Sequence, residues 1–94
     1  MDLNELEKYN FFHMTSAEDT HLICCFHHCA TSLNQDSLTF YSEDKYFPIC
    51  RITFQLDQLH IDRCVLDEEL DLLQVTYQGQ YKYDLYAHKK LEKN

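Results

Sequence analysis

The sequence predicts an α+β domain, with one or two N-terminal helices packed on an antiparallel sheet of four to five strands. Three observations lead there. The stretch from Ile49 to His88 alternates apolar and polar residues in short segments parted by polar turns. Between Leu22 and Leu33, six apolar residues fall on one arc of a helical wheel. The chain has 94 residues, 45% of them hydrophobic, enough for one modest core and too few for two. Residues 1–94 therefore read as a single small acidic domain: 1–33 mainly helical, 37–88 antiparallel strands, and 89–94 a charged tail that frays.

The elements follow in chain order. Asp2 and Glu5 have the spacing of a capping box, and Leu3 and Leu6 lie three apart, which predicts a short helix from about Leu3 to Asn10. Phe11 and Phe12 would pin it to the sheet. Thr15 or Ser16 can cap a second helix, with Glu18 or Asp19 in its first turn. Leu22, Ile23, Phe26, Cys29, Ala30 and Leu33 form its apolar arc, so a helix from Ala17 to Leu33 is preferred. A fully buried strand is the competing reading, because Leu22-Ile23-Cys24-Cys25-Phe26 would be apolar on both faces. Asn34-Gln35-Asp36 makes a polar turn, Ser37–Tyr41 a strand, and Ser42–Lys45 another turn.

Ile49–Leu56 puts Cys50, Ile52, Phe54 and Leu56 on one face, with Pro48 at its start, where a missing N–H is tolerated. Leu59–Arg63 alternates again after a tight turn at Asp57-Gln58. Leu73, Val75 and Tyr77 lead to Gln78-Gly79-Gln80, and Tyr81, Tyr83, Leu85 and Ala87 lead away. Gly79 is the only glycine in the chain, and a hairpin turn is where access to positive φ is most useful. Asp67–Asp71 reads as a loop or one helical turn capped by Asp67.

Sixteen acids against eight bases give a net charge of −8. Residues 1–72 hold 14 acids and 4 bases, whereas 73–94 hold 2 and 4. Such a field repels a phosphate backbone, which argues against direct nucleic-acid binding, and attracts a basic protein surface. Five cysteines, two of them adjacent, and an acidic N-terminus without a signal-like core predict free thiols in a reducing, intracellular, cytoplasmic setting. No apolar run approaches the ~20 residues that span a bilayer.

Few motifs carry chemistry. In a helix, His21, Cys25 and His28 would line one side at i, i+4, i+7, and imidazole and thiolate are zinc ligands. No second ligand pair at zinc-finger spacing accompanies them, so no cofactor is expected. A zinc-stabilised interaction module remains the alternative. A Cys24/His28 pair lacks an orienting group and an oxyanion site, and one glycine leaves little backbone for phosphate-cradling loops. The chain does not read as an enzyme.

What remains is the acidic set Asp57, Asp62, Asp67, Glu68, Glu69 and Asp71, together with Tyr81, Tyr83 and Tyr86, since tyrosine favours interfaces. These are the expected partner-binding residues. The function expected is that of a small acidic inhibitor, immunity-type protein or anti-defence factor. It would occlude a basic site on a target protein, including one that normally holds nucleic acid, which it would then mimic. An unpaired edge strand leaves room for a homodimer.

Overall fold

Strand, not helix, dominates the chain. The computed structural model describes residues 1–19, 22–27, 29–42 and 51–90. Within them, the strands are β1 (Tyr9–Ser16), β2 (Leu22–His27), β3 (Cys29–Leu33), β4 (Ser37–Ser42), β5 (Arg51–Gln55), β6 (Leu59–Val65), β7 (Leu70–Tyr77) and β8 (Tyr81–Lys89). A five-stranded sheet has the order β2-β1-β8-β7-β6, and a three-stranded sheet the order β3-β4-β5. All described pairings are antiparallel.

This corrects the predicted α+β class. Residues 1–33 are not mainly helical: among the described residues the one helical element there is Leu3–Lys8, a 3-10 helix capped by Asp2, whose carboxylate accepts from the Asn4 amide at 3.0 Å. Within the span expected as a helix, Ala17–Leu33, the described strands β2 and β3 feed two different sheets. β2 flanks β1 and β3 flanks β4. A helix there would strip both β1 and β4 of a neighbour and leave their backbone edges open. Ladder pairing thus overrides a helical arc that two consecutive apolar strands produce by coincidence.

The second half follows the alternation. In β5, Phe54 is buried while Arg51, Thr53 and Gln55 are exposed; Cys50 lies outside the described residues. Asp57-Gln58 belongs to a 3-10 turn (Leu56–Gln58) that leads into β6. At the β7–β8 hairpin, Gln78 and Gly79 both have positive φ (55° and 70°), and the Gln80 amide donates to the Tyr77 carbonyl at 3.2 Å. Two positive φ values in the middle of the turn are the type I′ pattern that suits strand twist. At the other end, the Lys89 amide donates to Glu69 and the Lys90 amide to Lys8, both at 2.8 Å. The tail is thus tied through Lys90; residues 91–94 lie outside the described residues.

The inner faces of the two sheets meet over an aromatic chain. Phe12 packs edge-on to Phe40 (5.3 Å), Phe40 to Phe54 (6.3 Å), and Phe54 to Tyr77 (5.0 Å). Each such pair adds about 0.5–1.5 kcal/mol beyond its buried area. Leu6, Met14, Leu38, Ile61, Leu73, Val75, Leu85 and Ala87 complete the core. Tyr9 joins them through a register shift. Tyr9 pairs with Lys89 but Phe11 with His88, so one extra residue in β1 switches Tyr9 to the face of Phe12 and Met14. No helix among the described residues is long and apolar enough to cross a membrane.

Candidate functional site

The acids gather along one edge. β6 is the outermost strand of the larger sheet. Asp57 lies in the 3-10 turn before it, Asp62 within it, and Asp67, Glu68 and Glu69 in the turn after it, all five exposed. Seven residues of β6 separate the two ends by about 20 Å. The edge is neutralised little. Arg63, the only base in this stretch, donates to Glu5 at 3.0 Å, and His60 Nε2 lies 3.1 Å from both oxygens of Asp62. Asp2 and Glu5 face Asp62 across a shallow hollow between the N-terminal segment and β6. Asp67 also shapes its own turn, since Oδ1 accepts from the amides of Glu69 (2.7 Å) and Leu70 (2.8 Å). That is the local capping role its sequence position suggests. Beside it, Val65 and Leu66 are 62% and 47% exposed, the most open large apolar side chains of this edge.

Asp71 stands apart from this surface. It is 1% exposed, on the core face of β7. The Tyr9 hydroxyl donates to Oδ2, and Lys89 Nζ lies 3.4 Å from Oδ1. Three strands supply the group: β1 through Tyr9, β7 through Asp71 and β8 through Lys89. Burial, the hydrogen bond to Asp71 and its negative charge push the Tyr9 phenol from 10.0 up to about 12, so it stays a donor. The carboxylate serves the fold and is not available to a docking partner.

The tyrosines divide. Tyr83 is half-buried against the core, and Tyr81 is exposed at the hairpin. Tyr86 points to the opposite face of β8, where its ring stacks on His13 (4.8 Å, 16° between planes). The three do not form one patch.

That outer face holds a cluster the sequence did not reveal. A register row crosses the whole five-stranded sheet: Cys25, His13, Tyr86, Leu72, Cys64. One step along β8, His88 approaches His13 with ring centroids 5.7 Å apart. Burial, then the neighbouring His88, lowers the His13 pKa below its usual 6.5. His13 and His88 are far apart in sequence and meet only because β1 pairs with β8, so no local spacing signals them.

The helical set His21, Cys25 and His28 does not form as drawn. Cys25 lies in β2, where i, i+4, i+7 spacing no longer defines a face, and His21 and His28 fall outside the described residues. Among the described residues no group of three His, Cys, Asp or Glu is placed to hold a metal ion. Cys64 is a free, exposed thiol. No protein-family model, curated protein or solved structure matches this chain.

Proposed function

We propose that this chain is a non-enzymatic acidic binding protein whose β6 edge docks on a basic surface of a target protein, in the manner of an inhibitor, immunity-type protein or anti-defence factor. The observation that carries this is the line of exposed carboxylates Asp57, Asp62, Asp67, Glu68 and Glu69 along one sheet edge, with Arg63 already engaged by Glu5. Asp62 and Asp67 are five residues apart, about 16 Å in extended chain, beyond the ~8 Å screening length at physiological salt. Asp62 therefore acts singly, whereas the consecutive Asp67, Glu68 and Glu69 act together. The strongest attraction is at the β6–β7 turn, beside exposed Val65 and Leu66, which supply apolar contact once charge has steered the encounter. A target site that ordinarily holds nucleic acid is one such basic surface.

The test is a variant carrying Asp67→Asn, Glu68→Gln and Glu69→Gln, with the Asn keeping an acceptor for the turn amides. A basic target captured by the wild type should bind it with an association rate that falls steeply between about 50 and 500 mM salt. The variant should lose at least tenfold in that rate at low salt. Binding that ignores both salt and the substitutions would refute the docking edge.

A further inference from the structure

We infer that the β6 edge takes up an extended basic segment of its target as an additional antiparallel strand. This rests on the docking reading above and names the mode of contact and the chemistry of the partner. The ladder to β7 fixes which backbone groups are open. The Leu66 amide donates to the Leu70 carbonyl at 3.0 Å, and the Gln78 amide to the Gln58 carbonyl at 2.8 Å. Both bonds continue the register that pairs Leu59 with Tyr77 and Val65 with Asp71. Hydrogen-bonded pairs alternate along an antiparallel ladder, so His60, Asp62 and Cys64 bond to β7, while Leu59, Ile61, Arg63 and Val65 turn their backbone outward. The Leu59 amide is taken by Leu56 in the turn before it. Ile61, Arg63 and Val65 each turn one amide and one carbonyl to the open side of the outermost strand, as strand addition requires.

Charge and register then define the incoming strand. Toward it, Asp62 holds a non-hydrogen-bonded position, where facing side chains come closest, so Lys or Arg opposite is favoured and an acid is rejected. Arg63 does not oppose that cation, because its guanidinium is engaged by Glu5 at 3.0 Å. Beside Ile61, Asp62 and Arg63 lies a hollow of about 420 Å³, and the Asp2 and Glu5 carboxylates that border it add to the pull on a cation. Val65, 62% exposed, selects an apolar residue three places before the cation, and Asp67, Glu68 and Glu69 select basic residues leading into the strand. A second copy of the chain is the wrong partner, since each carries a net charge of −8.

The probe is the peptide acetyl-Lys-Arg-Lys-Ser-Val-Thr-Val-Lys-Val-Thr-amide, which sets its first valine opposite Val65 and its last lysine opposite Asp62. At about 50 mM salt it should bind, and at saturation slow hydrogen exchange of the Ile61, Arg63 and Val65 amides at least tenfold. Methylating the backbone nitrogen of the second valine, which points at Arg63, should weaken binding at least tenfold. Methylating that of the lysine after it, which points away, should cost less than threefold. Both methylated peptides keep the full charge, so charge steering alone predicts equal affinities. No binding of the peptide, equal loss from the two methylations, or unprotected β6 amides would overturn strand addition. So would amides already protected in the free protein and released on dilution, which would assign the edge to a second copy. The docking reading is judged separately, by the association rate of the variant neutralised at Asp67, Glu68 and Glu69.

Discussion

Asp71→Ala should destabilise the protein far more than neutralising any acid of the β6 edge. The magnitude follows from what the carboxylate touches. Without it, the Tyr9 hydroxyl keeps no acceptor in a site where Tyr9 is 3% exposed, and a buried donor left unsatisfied costs about 1–3 kcal/mol. The bond removed is also charge-assisted, a class worth about 1.5–3 kcal/mol, and the two figures overlap rather than add. Lys89 keeps 35% of its side chain in solvent, so its ammonium rehydrates and the lost ion pair contributes no more than about 1 kcal/mol. The expected loss is about 2–4 kcal/mol. Asp71→Asn, which retains an acceptor, should lose about 1–2 kcal/mol, and so should Tyr9→Phe. Urea unfolding of the two single variants and the double variant closes a cycle, in which the coupling should be about 1–2 kcal/mol. A loss below about 0.5 kcal/mol for Asp71→Ala, or a coupling near zero, would show that the carboxylate is not held by Tyr9 and would return it to the surface.

The same contact makes stability alkali-sensitive. The Tyr9 phenol titrates near 12 when folded and near 10 when unfolded, so its contribution is complete below pH 10 and is lost as pH rises toward 12. Two pH units correspond to about 2.7 kcal/mol at most, which screening reduces to about 1–2, and Tyr9→Phe should flatten the loss in urea unfolding at fixed alkaline pH. His13 gives the opposite sense. Its folded pKa lies below 6.5, so its contribution is present above pH 6.5 and falls as the solution is acidified below that value; in thermal unfolding, His13→Gln should show a shallower acid limb. Gly79→Ala tests the hairpin: nothing lies within 4 Å of an added Cβ, so the loss should be backbone strain alone, about 1–2 kcal/mol, and Gly79→Asn should recover part of it in the same unfolding assay.

How far the fold was legible depends on how each strand meets solvent. β5 to β8 each have an alternating face, and Ile52, Phe54, Ile61, Leu73, Val75 and Leu85 stand out at period two. β1 hides the same signal, because its register shift puts Tyr9, Phe12 and Met14 on one face at spacings of three and two. The run through β2 and β3 misleads more seriously, since two strands in tandem reproduce a helical arc. Asp71 was readable and misread. It is in phase with Leu73 and Val75, so its position assigned it to the core, while its acidic neighbours suggested a surface. The His13–His88 cluster had no local trace, since it depends on a pairing between the two ends of the chain.

The β6 edge admits a second physical explanation, and the placement of its charges bears on the choice. An exposed edge strand invites pairing with other chains, and natural sheets blunt it with charge. One charge near the middle of a short strand suffices for that, and Asp62 with Arg63 already provides it. Asp67, Glu68 and Glu69 lie beyond the last residue of β6, where they guard no ladder positions. Three adjacent carboxylates there repel one another, a tension that protection of the edge does not require. Val65 and Leu66, left open next to them, would weaken any purely protective design. Charge concentrated past the end of the strand, beside exposed apolar surface, suits the docking edge proposed above better than a blunted one.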